Sequence, residues 1–318
     1  MTHPPIAAVD TPLFDTAPPG EVQAQSSLAR FKQALVGKAS KAILPLMKRA
    51  AGAYLGGETV EEALAVAHRV AAEGHASTLG YWDTGPDDGV LAIYHDAISK
   101  IASDGLESYL SLKPPALRYA ADAARALAAA AAPHAMRLHC DCHGPEVADL
   151  HHAFTEALCE ILPPELIGVA LPGRWQRSLQ DADWTMARGF KVRVVKGQWP
   201  DPADRNRDLG EGFLAVIDRL CRGARHVAVA THDAPLAREA IARLQAAGVS
   251  HELEVLLGYP AAPLLAWAKE AGIKTRVYVP YGPGFVPNAI AVLRRNPRLL
   301  MAVGKERIGA VKAFITKR

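Results

Sequence analysis

Between residues 75 and 318 the hydrophobic pattern alternates between two periods. Short runs rich in β-branched and aromatic residues occur at "ASTLGYW", "SYLSLKP", "AMRLHCD", "LIGVALP", "KVRVVKG", "HVAVATH", "HELEVLLG" and "KTRVYVPYG". Such runs of four to eight residues read as strands buried in a sheet. Between them lie stretches with apolar residues at helical spacing, among them "EVADLHHAFTEALCEIL", "RDLGEGFLAVIDRLCRG", "PLAREAIARLQAAG" and "PAAPLLAWAKEAG". Eight strand–helix units in one stretch predict an α/β fold, a (βα)8 TIM-type barrel. A doubly wound sheet fits less well, because the loop after the first strand, "ASTLGYWDTGPDDG", carries no GxGxxG.

The chain before the barrel has a different texture. Residues 1–25, rich in proline and small residues, predict a flexible tail, and residues 26–74 a helical arm. In that arm "TVEEALAVAHRVAAEG" opens with a capping-box pattern, Thr59 with Glu62, and closes on Gly74. The alanine-rich tract "ALRYAADAARALAAAAAPHAM" is broken by Arg and Asp, so it predicts a soluble helix and not a membrane span.

Composition narrows the classes of function. The 318 residues hold 36 basic and 33 acidic side chains, a formal charge of +3, which gives no electrostatic case for nucleic acid. The four cysteines, at 140, 142, 159 and 221, form no CxxC pair, and so few argue against a disulfide framework. The start of the chain lacks a basic segment followed by an apolar one. A cytoplasmic protein, with peripheral membrane contact left open, is the expectation.

In a TIM barrel the chemistry gathers at the C-terminal strand ends, where the βα loops converge. The polar residues there are Lys113, Asp141, His143, Lys196, Thr231, His232, Glu254, Tyr278 and Tyr281. Lys196 stands out, because a lysine closing a buried strand implies a nearby anion. Beyond the last strand, "NAIAVLRRNPRLL" puts Arg294 and Arg295 on a helix, a pair suited to holding a carboxylate.

Taken in order, "RVVKG", "VAVATHD", "HELEVLLGYP", "TRVYVPYG" and "LRRN" resemble the motifs of the proline dehydrogenase family: R-L-V-K-G-A-Y-W, A-T-H-N, E-F-Q-x-L-x-G-M, V-R-V-Y-x-P-x-G and Y-L-x-R-R-L-x-E-N. The resemblance covers about residues 105–298 and implies a flavoenzyme on a distorted TIM barrel. It implies that Arg193, Lys196, Gly197, Gln198, Thr231 and His232 contact FAD, with Lys196 near the flavin N1–C2=O edge. It further implies that Lys113, Asp141 and Tyr278 carry the catalytic site, that Leu256 packs on the substrate ring with Tyr278, and that Arg294 and Arg295 clamp its carboxylate. The implied reaction moves a hydride from the carbon next to nitrogen of proline, or of a related small cyclic or secondary amino acid, to flavin N5. Electrons would then pass to a quinone or another acceptor, which could come from a membrane. The chain departs from the family pattern at Ala291, Arg298, Pro172, Gln198 and Glu254.

Two other readings stay open. On an extended strand His139, Asp141 and His143 share one face, a row able to bind a divalent metal for hydrolysis with help from His232 and Glu254. Alternatively the chain is a non-catalytic descendant that kept the fold as a binding module. His68, His151 and His152 are expected at the surface or core edge, and Trp82, Trp175 and Trp267 as packing residues. Cys140 and Cys142 are expected to face the layer between barrel and helices as small hydrophobes.

Overall fold

The structure, a computed structural model, describes residues 56–86 and 89–284. Eight parallel strands close into a barrel in sequence order: β1 (Ala76–Tyr81), β2 (Ser108–Leu112), β3 (Leu138–Cys140), β4 (Ile167–Pro172), β5 (Lys191–Val195), β6 (Val227–Ala230), β7 (His251–Leu256) and β8 (Thr275–Tyr281). The ring closes where β1 pairs with β8, Gly80 opposite Pro280 and Thr78 opposite Tyr278. All eight predicted strands are present, each within its hydrophobic run.

The helix α1 (Val60–Ala72) precedes the barrel. Its capping box forms as the sequence predicts, with the Thr59 hydroxyl accepting from the Glu62 N–H and the Glu62 carboxylate accepting from the Thr59 N–H. Val60, Ala63, Leu64, Ala67 and Val70 recur at helical spacing and are buried. That face packs on β1 and β8. Gly56 donates its N–H to Pro280 O, so the chain entering α1 is tied to the far end of β8. The helices α2 (Val90–Asp104), α3 (Ala121–Ala131), α4 (Ala148–Cys159), α5 (Ser178–Arg188), α6 (Leu209–Leu220), α7 (Ala234–Ala246) and α8 (Ala262–Glu270) link successive strands.

The strand faces divide the chemistry. Outward-facing Leu79, Leu110, Leu138 and Ile167 sit in register on β1 to β4, fully buried beneath the helices. Each such side chain stabilises the fold by about 1.5–3 kcal/mol. The alternate, inward positions carry Tyr109, Ser111, Arg137, His139, Arg193, Glu252, Glu254, Arg276 and Tyr278, all buried. Hydrophobic residues hold the helices on; polar ones fill the barrel.

Cys140 lies in the hydrophobic layer as predicted, and burial pushes the thiols of Cys140 and Cys142 up to about 12. Among the described residues no helix is long and apolar enough to cross a membrane.

Candidate active site

The unit at the barrel mouth is built around one carboxylate. Asp141 follows β3 directly, and its N–H donates to Leu112 O at 2.9 Å, which extends the β2–β3 pairing by one residue. Its Oδ1 accepts from the Ser111 hydroxyl at 2.7 Å and from Arg193 Nη1 at 2.8 Å. Its Oδ2 accepts from Lys113 Nζ and from the Tyr278 hydroxyl, both at 2.9 Å. Four donors occupy the four lone-pair directions of the carboxylate. Burial alone would raise its pKa, but the Lys113 and Arg193 charges outweigh it and hold Asp141 well below the usual range. It is an anchor that stays ionised.

Its partners are fixed in turn. Burial works against the Lys113 ammonium, yet the charge and hydrogen bond of Asp141 hold it above its ordinary value. Its Nζ lies 5.0 Å from the centre of the Trp82 ring, a cation–π distance, and its backbone N–H donates to the Tyr94 hydroxyl. Burial pushes the Tyr278 phenol up to about 12, so it remains a donor. The predicted trio Lys113, Asp141 and Tyr278 is therefore brought together from β2, β3 and β8, with Lys113 and Asp141 still partly open to solvent.

Arg193, expected to touch a cofactor, stands beneath this trio and is 3% exposed. It donates through Nε to Glu254 Oε2 at 2.8 Å, through Nη1 to Asp141, and through Nη2 to the Tyr109 hydroxyl at 3.2 Å. Thr78 donates to the other Glu254 oxygen at 3.1 Å. Two cations, Lys113 and Arg193, thus face two carboxylates, Asp141 and Glu254.

The opposite side of the mouth is looser. Lys196 does have an anion: its Nζ donates to Asp233 Oδ2 at 2.9 Å, both side chains being more than a third exposed. Asp233 also caps α7 through the Leu236 N–H, and the Thr231 hydroxyl accepts from the Asp233 N–H. Gly197 has φ +95°, and a Cβ there would lie 2.8 Å from Pro172 Cβ, so the turn after β5 requires glycine. Gln198 is exposed, its backbone oxygen accepting from Arg174.

His232 Nε2 accepts the Leu256 N–H at 3.2 Å, and burial lowers the pKa of the imidazole, so the ring is neutral with its proton on Nδ1. The ring packs on Tyr259, centres 5.1 Å apart. Leu256 itself lies opposite Tyr278 in register. Arg294 and Arg295 lie outside the described residues.

The metal row does not form. β3 ends at Cys140, and the Gly144–Pro145 turn carries the chain away, so His143 leaves the face shared by His139 and Asp141. His143 instead stacks on His151, ring centres 5.2 Å apart, and packs on Trp199. His139 lies fully buried within hydrogen-bond reach of Arg137, and burial together with the Arg193 and Arg137 charges pushes its pKa far down. Two guanidiniums beside it repel a cation. Among the described residues no group of three or more His, Cys, Asp or Glu side chains is placed to hold a metal.

Several functional neighbours escape a reading of strand ends alone. Ser111, Tyr109 and Trp82 all shape the site, and the period-two row Tyr109-x-Ser111 is the signal for the inner ones. Trp82 meets the Lys113 ammonium as well as packing. Trp175 is a packing residue as expected, 3% exposed and donating to Trp199 O. His151 is buried within the helical layer and His152 stacks on Trp184 at 3.9 Å.

Comparison with known structures bears on this barrel. Three proline utilization A chains are similar to it. That of Bdellovibrio bacteriovorus inactivated by N-propargylglycine has a TM-score of 0.65 at 18% identity, over 80% of this chain and 33% of that one. A mutant of the Bradyrhizobium japonicum protein gives 0.63 at 20%, over 86% and 33%. The Corynebacterium freiburgense protein gives 0.60 at 17%, over 89% and 34%. The fold is shared with these chains. This chain spans about a third of the length of each. No protein-family model and no curated protein sequence matches it.

Proposed function

We propose that this chain is an FAD-dependent oxidoreductase of the proline dehydrogenase type, acting on proline or a related small cyclic or secondary amino acid. The observation that carries the reading is the hydrogen-bonded unit of Lys113, Asp141 and Tyr278, drawn from three strands to the mouth of a barrel that resembles part of proline utilization A. Those are the positions at which the motif resemblance implies a catalytic site.

The donors on the β5–β6 side fit a flat ring that gathers negative charge. Lys196 can turn from Asp233 toward such a ring, because an exposed pair of this kind is worth only about 0–1 kcal/mol. The His232 imidazole keeps an Nδ1–H to donate; Thr231 lies with it after β6, and Gly197 and Gln198 form the turn after the neighbouring β5. FAD bound there would supply the hydride acceptor for the carbon next to the substrate nitrogen, and the nitrogen would release its proton to solvent, so that an imine such as pyrroline-5-carboxylate results.

On the substrate side the residues orient and do not take protons. With its lone pairs filled, Asp141 fixes the directions of Lys113 and Tyr278. Lys113 retains N–H bonds to give a substrate, and the Tyr278 and Leu256 side chains form the packing surface for its ring. Arg193 acts from below, holding Asp141 in place. Arg294 and Arg295 are the proposed carboxylate clamp. A quinone or another acceptor, membrane-borne or soluble, would receive the electrons of a cytoplasmic or peripherally bound enzyme.

The first experiment is the visible spectrum of the purified protein with and without added FAD. Absorption bands at about 380 and 450 nm, bleached on adding proline or an analogue, are the expected result. A protein that stays colourless after incubation with FAD rules the reading out and leaves the binding-module alternative.

A further inference from the structure

Tyr278 and Asp141 stand on strands that are not neighbours. Around the ring from β8 the chain passes β1 and β2 before reaching β3. For its hydroxyl to meet Asp141, the phenol must lie down across the inner faces of β1 and β2. The two residues in its path are Gly80 and Ser111, paired in register with each other.

Gly80 leaves the room. A Cβ there would stand 2.0 Å from the Tyr278 hydroxyl oxygen, 2.4 Å from Cζ and 2.8 Å from Cε1. Gly80 is not among the glycines with positive φ, so its backbone conformation suits any residue; space alone excludes a side chain. The Arg193 guanidinium lies 5.2 Å from the centre of the phenol ring. The phenol is therefore held by a gap, a cation and a hydrogen bond together.

We propose that Gly80 is a positioning residue for the reaction, the position that lets Tyr278 lie flat with its hydroxyl on Asp141. This rests on the dehydrogenase reading for its kinetic meaning and on geometry alone for the placement of the ring. Any side chain at 80 lifts the phenol off Asp141 and into the volume a small ring-shaped substrate needs. The requirement couples β1, which carries no proposed catalytic group, to the trio on β2, β3 and β8.

The test is a cycle of Gly80→Ala, Tyr278→Ala and the double variant, melted without cofactor. Gly80→Ala should lower the melting temperature by roughly 3–8 °C through overpacking. With the phenol removed, the same alanine should cost almost nothing, and the double variant should melt with Tyr278→Ala. Additive losses, or a double variant that fails to fold, overturn the proposal. In the flavin-loaded enzyme Gly80→Ala should lower kcat on the order of 100-fold, and adding Tyr278→Phe should lower it no further. Two losses that multiply would also overturn it. A wild-type protein that never reduces flavin defeats the dehydrogenase reading instead, and the thermal cycle still decides where Tyr278 lies.

Discussion

Two tiers of charge fill the barrel, and the same strands build both. In the lower tier Arg276 Nε donates to Glu252 at 2.9 Å, His226 lies 3.4 Å and Arg137 3.8 Å from the same carboxylate. The guanidiniums of Arg137 and Arg276 stand 4.1 Å and 4.5 Å from the centre of the Tyr109 ring. In the upper tier Arg193 joins Asp141 to Glu254, and the Tyr109 hydroxyl links the tiers by accepting from Arg193. Glu252 and Glu254 are two residues apart on one strand, as are Arg276 and Tyr278 on another. The tiers differ in what lies beyond them. Glu252 and Arg276 are almost wholly buried, whereas the Lys113 and Asp141 side chains keep about a sixth of their surface. Charge in the lower tier is paired within the barrel interior; in the upper tier it can also meet a ligand.

The largest effects should come from removing one arginine from each tier. Arg193→Met leaves Glu254 buried with only the Thr78 hydroxyl and takes from Asp141 one of its two cations, and chemical denaturation should register a loss of about 3–5 kcal/mol. Turnover should vanish with it. Arg276→Met should lose less, about 2–3 kcal/mol, because His226 and Arg137 still face Glu252. Its kcat and KM should stay near wild type in the protein that remains folded. An Arg276→Met enzyme that is stable yet inactive would erase the distinction between the tiers.

That distinction was half legible in the sequence. The strands were, because each hydrophobic run is short and bounded by turns, and the outward rows such as Leu79, Leu110 and Leu138 follow from period two. The trio was legible as strand-end residues plus a motif resemblance. The lower tier was not, since Arg137 and Arg276 read as ordinary charges until the barrel closes around them. The extended row through His143 failed for a local reason: β3 is only three residues long, and alternation holds only while the strand does. Lys196 reads as needing an anion because it closes a buried strand, yet its side chain is more than a third exposed and its partner, Asp233, comes from the start of α7, a juxtaposition that strand order alone does not give.

Acid should weaken the surroundings of the buried histidines, inside the barrel and beneath α4, before it touches the trio. Burial lowers the pKa of His139, His143 and His226, and brings that of His151 down to about 3. These groups stay neutral in the fold while the unfolded chain takes up protons below about pH 6.5. Their contribution is complete above that pH and is lost as pH falls toward the folded values. Asp141 and Glu252, both held low by cations, add a second loss only below about pH 4. Urea midpoints measured from pH 8 to about pH 2 should therefore decline in two stages, and His151→Gln should flatten the first. A flat profile down to pH 4.5 would mean that these imidazoles are not neutral inside the protein.

The smallest effect on stability should come from the residue with the largest proposed effect on the cofactor. Lys196 and Asp233 form an exposed pair, and Lys196→Met should change the unfolding free energy by less than about 1 kcal/mol. If the ammonium leaves Asp233 to stand by the flavin, the same change should slow flavin reduction markedly in a stopped-flow trace. Flavin affinity should fall with it. Asp233→Asn then separates two roles of one lysine. Freed from its carboxylate, Lys196 should bind flavin at least as well as before, while the amide oxygen of the new side chain still caps α7. If Lys196→Met reduces flavin at the wild-type rate, the lysine is a surface partner of Asp233 alone. The buried trio would then have to carry the site without an ammonium on the β5 side.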